Sequence, residues 1–205
     1  RKRLHAIPLR PQGLLLRIER ISAPFAGLLA VFVRLREFGA GLVLAPPDYQ
    51  QGETVRIMYI HVPAAILASA LYGMMAALSI SYLIWRHTLA NVIAREAAAI
   101  GLTLTAVTLV TGMLWGKPMW GAYWVWDARL TSVLILLLLY VGYLGLANAG
   151  GHDERTKVAT AWLAVIGAIN LPIIKFSVDW WNTLHQPASV LRAGGPTMPA
   201  AYIRL

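Results

Sequence analysis

Four stretches of this chain have, or nearly have, the length and apolar character of helices that cross a lipid bilayer, which need about 20 predominantly apolar residues; the last of them is the shortest. They are residues 57–85, 97–116, 130–149 and 158–174, and none of them contains Asp, Glu, Lys or Arg. Apolar runs of this kind are typical of membrane-spanning helices rather than of the core of a soluble domain. We therefore predict an all-α fold, a polytopic bundle of helices that crosses the membrane several times.

The composition supports a membrane protein. Hydrophobic residues make up 58% of the chain and charged residues only 13%, whereas about a quarter of the residues of a soluble domain are charged. Nothing in the sequence indicates a second, globular unit. The chain also has no cysteine, which excludes disulfides, thiolate metal sites and cysteine nucleophiles.

Residues 23–45 form a weaker candidate for a further span at the start of the bundle. Arg34, Arg36 and Glu37 lie in its middle, and each such charge costs about 2.5–3.5 kcal/mol at the centre of a spanning helix. Three explanations stay open: the helix ends near Val33, partners shield the charges, or the segment is irregular. With this candidate included, the expected number of spans in the segment is five.

The net charge of +9 is concentrated near the N-terminus. The basic residues of the first twenty positions are Arg1, Lys2, Arg3, Arg10, Arg17 and Arg20. A basic segment beside a hydrophobic span more often orients the span or contacts anionic lipid than binds nucleic acid. We therefore interpret residues 1–22 as a basic cytoplasmic tail and expect the lipid bilayer, not a nucleic acid, as its partner.

Two further connections carry basic residues and are placed on the same, cytoplasmic side by the positive-inside rule. Arg86 and Arg95 follow the second expected span, and Arg155 and Lys157 follow the fourth. The remaining connections then face outward. The predicted organisation is a transmembrane domain over residues 23–178, with an outward loop at residues 116–129, followed by an outward segment at residues 179–205.

The outward loop is dense in aromatic residues. It and its borders contain Trp115, Trp120, Tyr123, Trp124 and Trp126, and they end at Asp127. If the loop is helical, the side chains at 120, 123, 124 and 127 share one face; if it is extended, those at 120, 124 and 126 do. Either form would present a flat aromatic surface to a planar ligand, and the alternative is an ordinary aromatic belt at the membrane interface.

The expected topology places two of the five histidines, His61 and His185, on the side of this loop. Imidazole is a common axial ligand of haem iron, and indole rings would supply the apolar surface that a porphyrin needs. Each histidine alone could be an ordinary polar residue near a helix end. Two of them beside the aromatic loop favour axial ligation, with Trp120, Trp124 and Trp126 as the platform.

The motifs resemble those of the haem exporter protein C family of bacterial cytochrome c maturation, within a superfamily marked by a tryptophan-rich "WWD" segment. The matching blocks are residues 59–65, 115–120, 124–132, 170–174 and 180–186. The resemblance covers residues 45 to about 187. This chain has Tyr123 where the family typically has tryptophan, and the family has a sixth span, which we expect to be missing from the C-terminus of this segment.

The resemblance implies a function and a set of partners. Family members bind haem b, iron protoporphyrin IX, at the periplasmic face of the bacterial inner membrane and transfer it to a periplasmic haem chaperone. The other implied partners are the ATPase and permease subunits of an ABC-type complex and a small membrane subunit. By position, His61 and His185 correspond to the family's two external histidines, and the N-terminus lies in the cytoplasm.

Four polar residues near the loop are candidates for contact with haem. Arg56, Lys117 and Arg129 lie at the outer interface, where their charges could pair with the propionates or simply reach the water. Asp127 directly precedes a span, so helix capping is its default role and a contact with the ligand is the alternative. We include Arg56, Arg129 and Asp127 with His61, His185 and the loop aromatics among the candidate haem-binding residues.

These observations predict a haem-binding transfer protein rather than an enzyme. Two other classes stay open. Haem lyases, which attach haem to apocytochrome c, carry the same WWD signature. A membrane permease subunit is the third class, although permeases usually carry ionisable residues at mid-membrane.

Overall fold

The computed structural model describes residues 39–150, 153–181 and 183–185, together with residues 195 and 202. The chain divides into two compact units, residues 1–45 with Leu205, and residues 46–204. In the first unit, residues 39–44 are helical, and most of the candidate span at residues 23–45 lies outside the described residues. The basic tail and most of the segment after His185 also lie outside them, so the predicted division into segments stays a prediction.

The second unit is built from helices, and its described residues contain no β-strand. A short 3-10 helix, Glu53–Ile57, leads directly into α1, Met58–Trp85. The other helices are α2, Thr88–Trp120; α3, Ala128–Ala149; α4, Glu154–Gly167; and α5, Asn170–Trp180. Four segments are long and apolar enough to cross a membrane: Glu53–Trp85, Thr88–Trp120, Ala128–Ala149 and Glu154–Trp180. Each contains one predicted stretch, which confirms the all-α, multi-pass membrane fold.

The connection between the first two of these helices is much shorter than the charge pattern predicted. Arg95 was expected in a loop, but it lies in α2, and only Arg86 and His87 separate α1 from α2. Arg86 adopts a left-handed conformation with φ of 56° and ends α1 there. The Arg95 guanidinium donates a hydrogen bond to Asn148 Oδ1 at 2.6 Å, so its charge has a polar partner at the end of α3 and does not interrupt the helix.

The last apolar segment is broken into α4 and α5 at Ala168 and Ile169. A proline has no backbone N–H, so Pro172 cannot donate to the carbonyl four residues before it, that of Ala168. That carbonyl instead accepts a hydrogen bond from the N–H of Leu171 at 3.0 Å, a tighter turn. The helix is therefore interrupted one turn before Pro172, and α5 continues to the end of the bundle where α2 finishes.

The core combines large and small side chains. Tyr72, Tyr140 and Tyr143 are fully buried among alanines of α1, α2 and α4. The Tyr140 hydroxyl donates to the Ala68 carbonyl at 2.9 Å, and its ring meets that of Tyr72 edge-on at 5.0 Å. Small residues allow membrane helices to approach closely, so that packing and hydrogen bonds, rather than exclusion of water, stabilise the bundle.

The glycine at position 101 provides the space for Tyr140. A Cβ at Gly101 would overlap the Tyr140 ring, so we expect Gly101→Ala to lower the free energy of unfolding by about 1–2 kcal/mol, as the cost of overpacking exceeds the gain in helix propensity. Gly145→Ala is the matched control, because nothing lies within 4 Å of the added atom. Thermal unfolding in detergent measures both, and an equal midpoint for the two variants would contradict the prediction.

The two ends of the bundle have different chemistry. At one end, Glu154 accepts hydrogen bonds from Arg86 at 2.7 Å and from the Tyr82 hydroxyl at 2.8 Å. These groups lie where α1 ends and α4 begins. At the other end, α1 begins, α2 ends, α3 begins and α5 ends, so side chains that are far apart in the sequence gather there.

Candidate functional site

The end of the bundle where α1 begins and α2 ends contains a cavity of about 530 Å³. This volume is within the range of about 300–1,000 Å³ that is typical of small-molecule sites. The polar and aromatic residues of its wall include Gln51, His61, Trp115, Trp120, Arg129, Lys175 and His185. The apolar residues of its wall include Ala65, Ile66, Leu109, Val133, Leu171 and Ile174. The structure therefore brings together the two predicted histidines, which are 124 positions apart in the chain, on one cavity.

His61 lies in the first turn of α1 and is oriented by α2. Its Nδ1 lies 3.1 Å from the hydroxyl oxygen of Thr111. A threonine hydroxyl has one proton, and Thr111 donates that proton to the Val107 carbonyl at 2.7 Å. In the tautomer that satisfies both contacts, Nδ1 of His61 donates to the Thr111 oxygen and Nε2 keeps a free lone pair.

A glycine keeps the His61 ring close to α2. A Cβ at Gly112 would lie 3.1 Å from His61 Cε1, so a larger residue at this position would push the imidazole away from Thr111. The Trp115 ring meets the His61 ring edge-on at a centroid distance of 5.7 Å. The Trp115 indole N–H donates to Gln51 Oε1 at 2.9 Å, which ties the wall to the loop before α1.

His185 is oriented by a carboxylate. Its Nδ1 lies 2.6 Å from Asp127 Oδ2, and Asp127 is only 8% exposed. The other carboxylate oxygen, Oδ1, accepts from the N–H of Leu130 at 2.7 Å, so Asp127 caps α3 as its position predicted and also holds His185. A carboxylate can only accept from the ring, which leaves Nε2 of His185 as the unprotonated nitrogen.

Burial decides the charge of His185. It lowers the pKa of His185 below its ordinary value, and the positive charge of Arg129 acts in the same direction. The hydrogen bond and the negative charge of Asp127 raise the pKa, but they do not outweigh burial. The lowered pKa favours the neutral imidazole, which is the form that can bind a metal ion through Nε2.

The predicted tryptophan platform is divided by the end of α2. Trp120 is the last residue of that helix, and its ring packs edge-on against His185 at 4.7 Å. Gly121 then takes a left-handed conformation with φ of 75°, and the next residues are neither helix nor strand. The two arrangements predicted for the aromatic side chains, on one face of a helix or of a strand, are therefore both wrong for this loop.

The later aromatic residues of the loop lie apart from the cavity wall. Trp124 and Trp126 contact each other edge-on at 5.3 Å, and Trp126 and Tyr123 are 76% and 52% exposed. The buried Trp124 indole N–H has no hydrogen-bond partner within the described part of the chain. Trp115 and Trp120 thus line the cavity, whereas Tyr123, Trp124 and Trp126 are not part of its wall.

The basic side chains that line the cavity differ in part from those predicted from the sequence. Arg129 lines the cavity, and its Nε lies 3.4 Å from the Ser177 hydroxyl. Arg56 pairs with Glu53 at 2.9 Å and is not part of the wall. Lys117 is also outside the wall, because its ammonium donates to the Gly121 carbonyl at 2.9 Å and lies 5.2 Å from the centre of the Tyr123 ring. Lys175, in α5, is a wall residue that sequence reasoning missed.

Other residues of the site that the sequence did not reveal are uncharged, among them Gln51, Thr111, Gly112, Gly116 and Met119. A partial signal was present, since positions 108, 112 and 116 repeat small residues at the four-residue spacing of one helical face. A Cβ at Gly116 would lie 2.8 Å from the Trp120 ring. The residues on this face of α2 are therefore small because the rings of His61 and Trp120 lie against it.

The fold and the site together define a class of protein. It is a multi-pass helical membrane protein with a cavity at one end of the bundle, and two histidines that could bind a metal ion line this cavity. The chain belongs to the heme exporter protein C family, whose model matches residues 9–204. This confirms the resemblance seen in the motifs.

The relatives agree with the family model. "Heme exporter protein C" of Bradyrhizobium diazoefficiens is 58% identical over 160 residues, which are 78% of this chain and 61% of the relative. The proteins of that name from Escherichia coli K12 and Haemophilus influenzae are 45% and 48% identical over 185 and 183 residues. Those matches cover 90% and 87% of this chain, and 75% and 74% of the relatives. The chain therefore spans about 61% to 75% of the length of these relatives.

Proposed function

We propose that this protein binds haem b in the cavity, with His61 and His185 as the axial ligands of the iron, and presents it for transfer during c-type cytochrome biogenesis. The observation that carries the proposal is the pair of imidazoles on one cavity, each with Nδ1 held by an acceptor and Nε2 left free. Haem is the cargo here, and the role is binding and transfer rather than catalysis.

The residues present fit this cargo in three respects. Two neutral nitrogen donors match the two axial positions of haem iron. The apolar residues of the wall and the Trp115 and Trp120 rings suit the faces of a porphyrin. Arg129 and Lys175 supply two positive charges on the wall for the two propionates.

The cellular setting is part of the proposal. The relatives are named as exporters of heme, and the basic residues Arg86, Arg155 and Lys157 belong to the end of the bundle opposite the cavity. We place the protein in the bacterial inner membrane with the N-terminus in the cytoplasm and the cavity facing the periplasm. The receiving partner is a periplasmic haem chaperone, and the complex contains ABC-type ATPase and permease subunits and a small membrane subunit.

Absorbance spectroscopy of the purified protein tests the haem site. The detergent-solubilised chain is titrated with ferric haem and, as a matched probe, with iron-free protoporphyrin. We expect a Soret band and the low-spin spectrum of two nitrogen ligands with haem, and much weaker binding of the iron-free ring, because it cannot use the histidines. A well-folded protein that gives no such band, or that binds both rings equally, would exclude the proposed ligation.

Charge removal at the wall tests the placement of the propionates. We expect Arg129→Gln to weaken haem binding about 10- to 100-fold, because a hydrogen bond to a charged group contributes about 1.5–3 kcal/mol. Lys175 is exposed, so Lys175→Gln should cost only a few-fold. The variant Lys117→Gln is the matched control and should bind haem as the wild type does, since Lys117 is engaged with Gly121 and Tyr123.

The dimethyl ester of haem separates the charge effect from a change in fold. Its propionates are neutral, so the wild type and the Arg129→Gln variant should bind it with the same affinity. If the variant loses the ester as strongly as it loses haem, Arg129 acts through the structure of the cavity and does not pair with the propionates.

A further inference from the structure

The two candidate ligands are held by acceptors of different chemistry. His185 donates to a carboxylate that is nearly buried, Asp127, at 2.6 Å. The acceptors of His61 are neutral: the Thr111 hydroxyl, at the longer distance of 3.1 Å, and the backbone carbonyl of Thr108. Hydrogen bonds to an ionised acceptor are shorter than neutral ones and roughly twice as strong.

The difference between the two acceptors also affects the basicity of Nε2, the nitrogen that would bind iron. A partner that accepts the Nδ1 proton fixes the ring and raises the basicity of Nε2, and a carboxylate does so more than a hydroxyl does. Asp127 is itself fixed, since its second oxygen caps α3 through Leu130. Trp120 packs against the His185 ring at 4.7 Å, and the Thr183 hydroxyl lies 3.2 Å from the His185 backbone nitrogen. His185 is therefore the more strongly donating of the two ligands.

We propose, resting on the haem-binding function proposed above, that the two ligands are not equivalent: His185 anchors the iron through Asp127, and His61 is the ligand exchanged when haem is handed over. In the exchange, the bond between iron and Nε2 of His61 breaks, and its electron pair returns to that nitrogen. A donor atom of the receiving partner occupies the vacated axial position, and the oxidation state of the iron does not change. Thr111 and Asp127 are positioning residues that set this order.

The position of His61 suits exchange without unfolding. It lies near the start of a 28-residue helix, and Thr111 and Gly112 of α2 lie against its ring. Because α1 and α2 hold His61, the imidazole stays in the wall when the iron moves away from it. The site is then ready to bind the next haem without a change in either helix.

Variants that keep only one of the two histidines test which of them anchors the iron. Haem-loaded His61→Ala and His185→Ala proteins are mixed with an excess of a haem-free globin that captures released haem, and the loss of haem is followed by absorbance. We expect His185→Ala to lose haem at least about tenfold faster than His61→Ala. Added imidazole should restore a low-spin spectrum in both variants, which shows that each cavity is still folded. Equal rates, or faster loss from His61→Ala, would overturn the assignment of the anchor.

The acceptors provide an independent test that leaves both histidines in place. Thr111→Val is nearly isosteric and removes only the hydroxyl acceptor of His61, so we expect haem loss within a few-fold of wild type and easier displacement of one ligand by added imidazole. If Thr111→Val released haem as fast as His185→Ala does, the proposed order would be wrong. A wild-type protein that takes up no haem would instead reject the proposed function itself.

Discussion

Replacement of both His61 and His185 by alanine is expected to weaken haem binding by more than about 100-fold and to abolish the low-spin spectrum. Loss of an outer partner of a metal ligand alone costs about 10- to 100-fold, and this double variant removes both inner ligands. The apolar wall stays, so residual binding should be similar for haem and for the iron-free porphyrin. Titration of both rings, followed by absorbance and by quenching of tryptophan fluorescence, measures the change.

His87→Ala is the control for this prediction. His87 is exposed in the short connection between α1 and α2, at the end of the bundle away from the cavity, so its loss should leave haem binding unchanged. A double variant that keeps a spectrum with two nitrogen ligands would show that other residues bind the iron, and the proposed site would then be wrong.

Asp127→Asn is expected to reduce haem affinity by about 10- to 100-fold, although asparagine has nearly the same shape as aspartate. An amide has one oxygen and one NH₂ group, whereas both carboxylate oxygens of Asp127 accept hydrogen bonds. If the amide oxygen caps Leu130, the NH₂ group faces Nδ1 of His185 and drives the ring proton to Nε2, where it blocks the iron. If the oxygen faces His185, the cap of α3 is lost.

Two further variants separate these effects. Asp127→Ser can still cap α3 but leaves His185 without its carboxylate, so we expect reduced haem affinity and a loss of stability limited to this one hydrogen bond, about 1–3 kcal/mol. Asp153→Ala removes the cap of α4, where Asp153 accepts from the N–H of Thr156 at 2.8 Å, and should cost about 1 kcal/mol of stability without changing haem affinity. Unchanged haem binding in Asp127→Asn would show that this carboxylate does not support His185.

The spans were predictable because their signal is local. A helix in a bilayer satisfies its own backbone hydrogen bonds and needs only an apolar surface of sufficient length, so each of the four stretches contains its own evidence. The end points were less predictable, because they depend on single contacts. Arg95 continues a helix where the charge pattern placed a loop, since Asn148 on another helix accepts its hydrogen bond.

The candidate site was predicted in part. The order of the spans alone brings His61, Trp115, Trp120 and Arg129 to one end, since each lies beside the same face of the predicted topology. Lys175 was missed because no pattern in the sequence shows which residues of α5 line the cavity. Arg56 was selected by position, but it pairs with Glu53 outside the wall.

By itself, the amino-acid sequence determined that this protein is a helical membrane protein and that two histidines lie at the end of the bundle that carries the tryptophan loop, because apolar length and the order of the spans decide both. Only the tertiary structure decided which nitrogen of each histidine is free. That choice depends on the acceptor that faces Nδ1, and each acceptor comes from a distant part of the chain: Thr111 lies 50 residues after His61, and Asp127 lies 58 residues before His185. Contacts across such separations arise only when the helices pack.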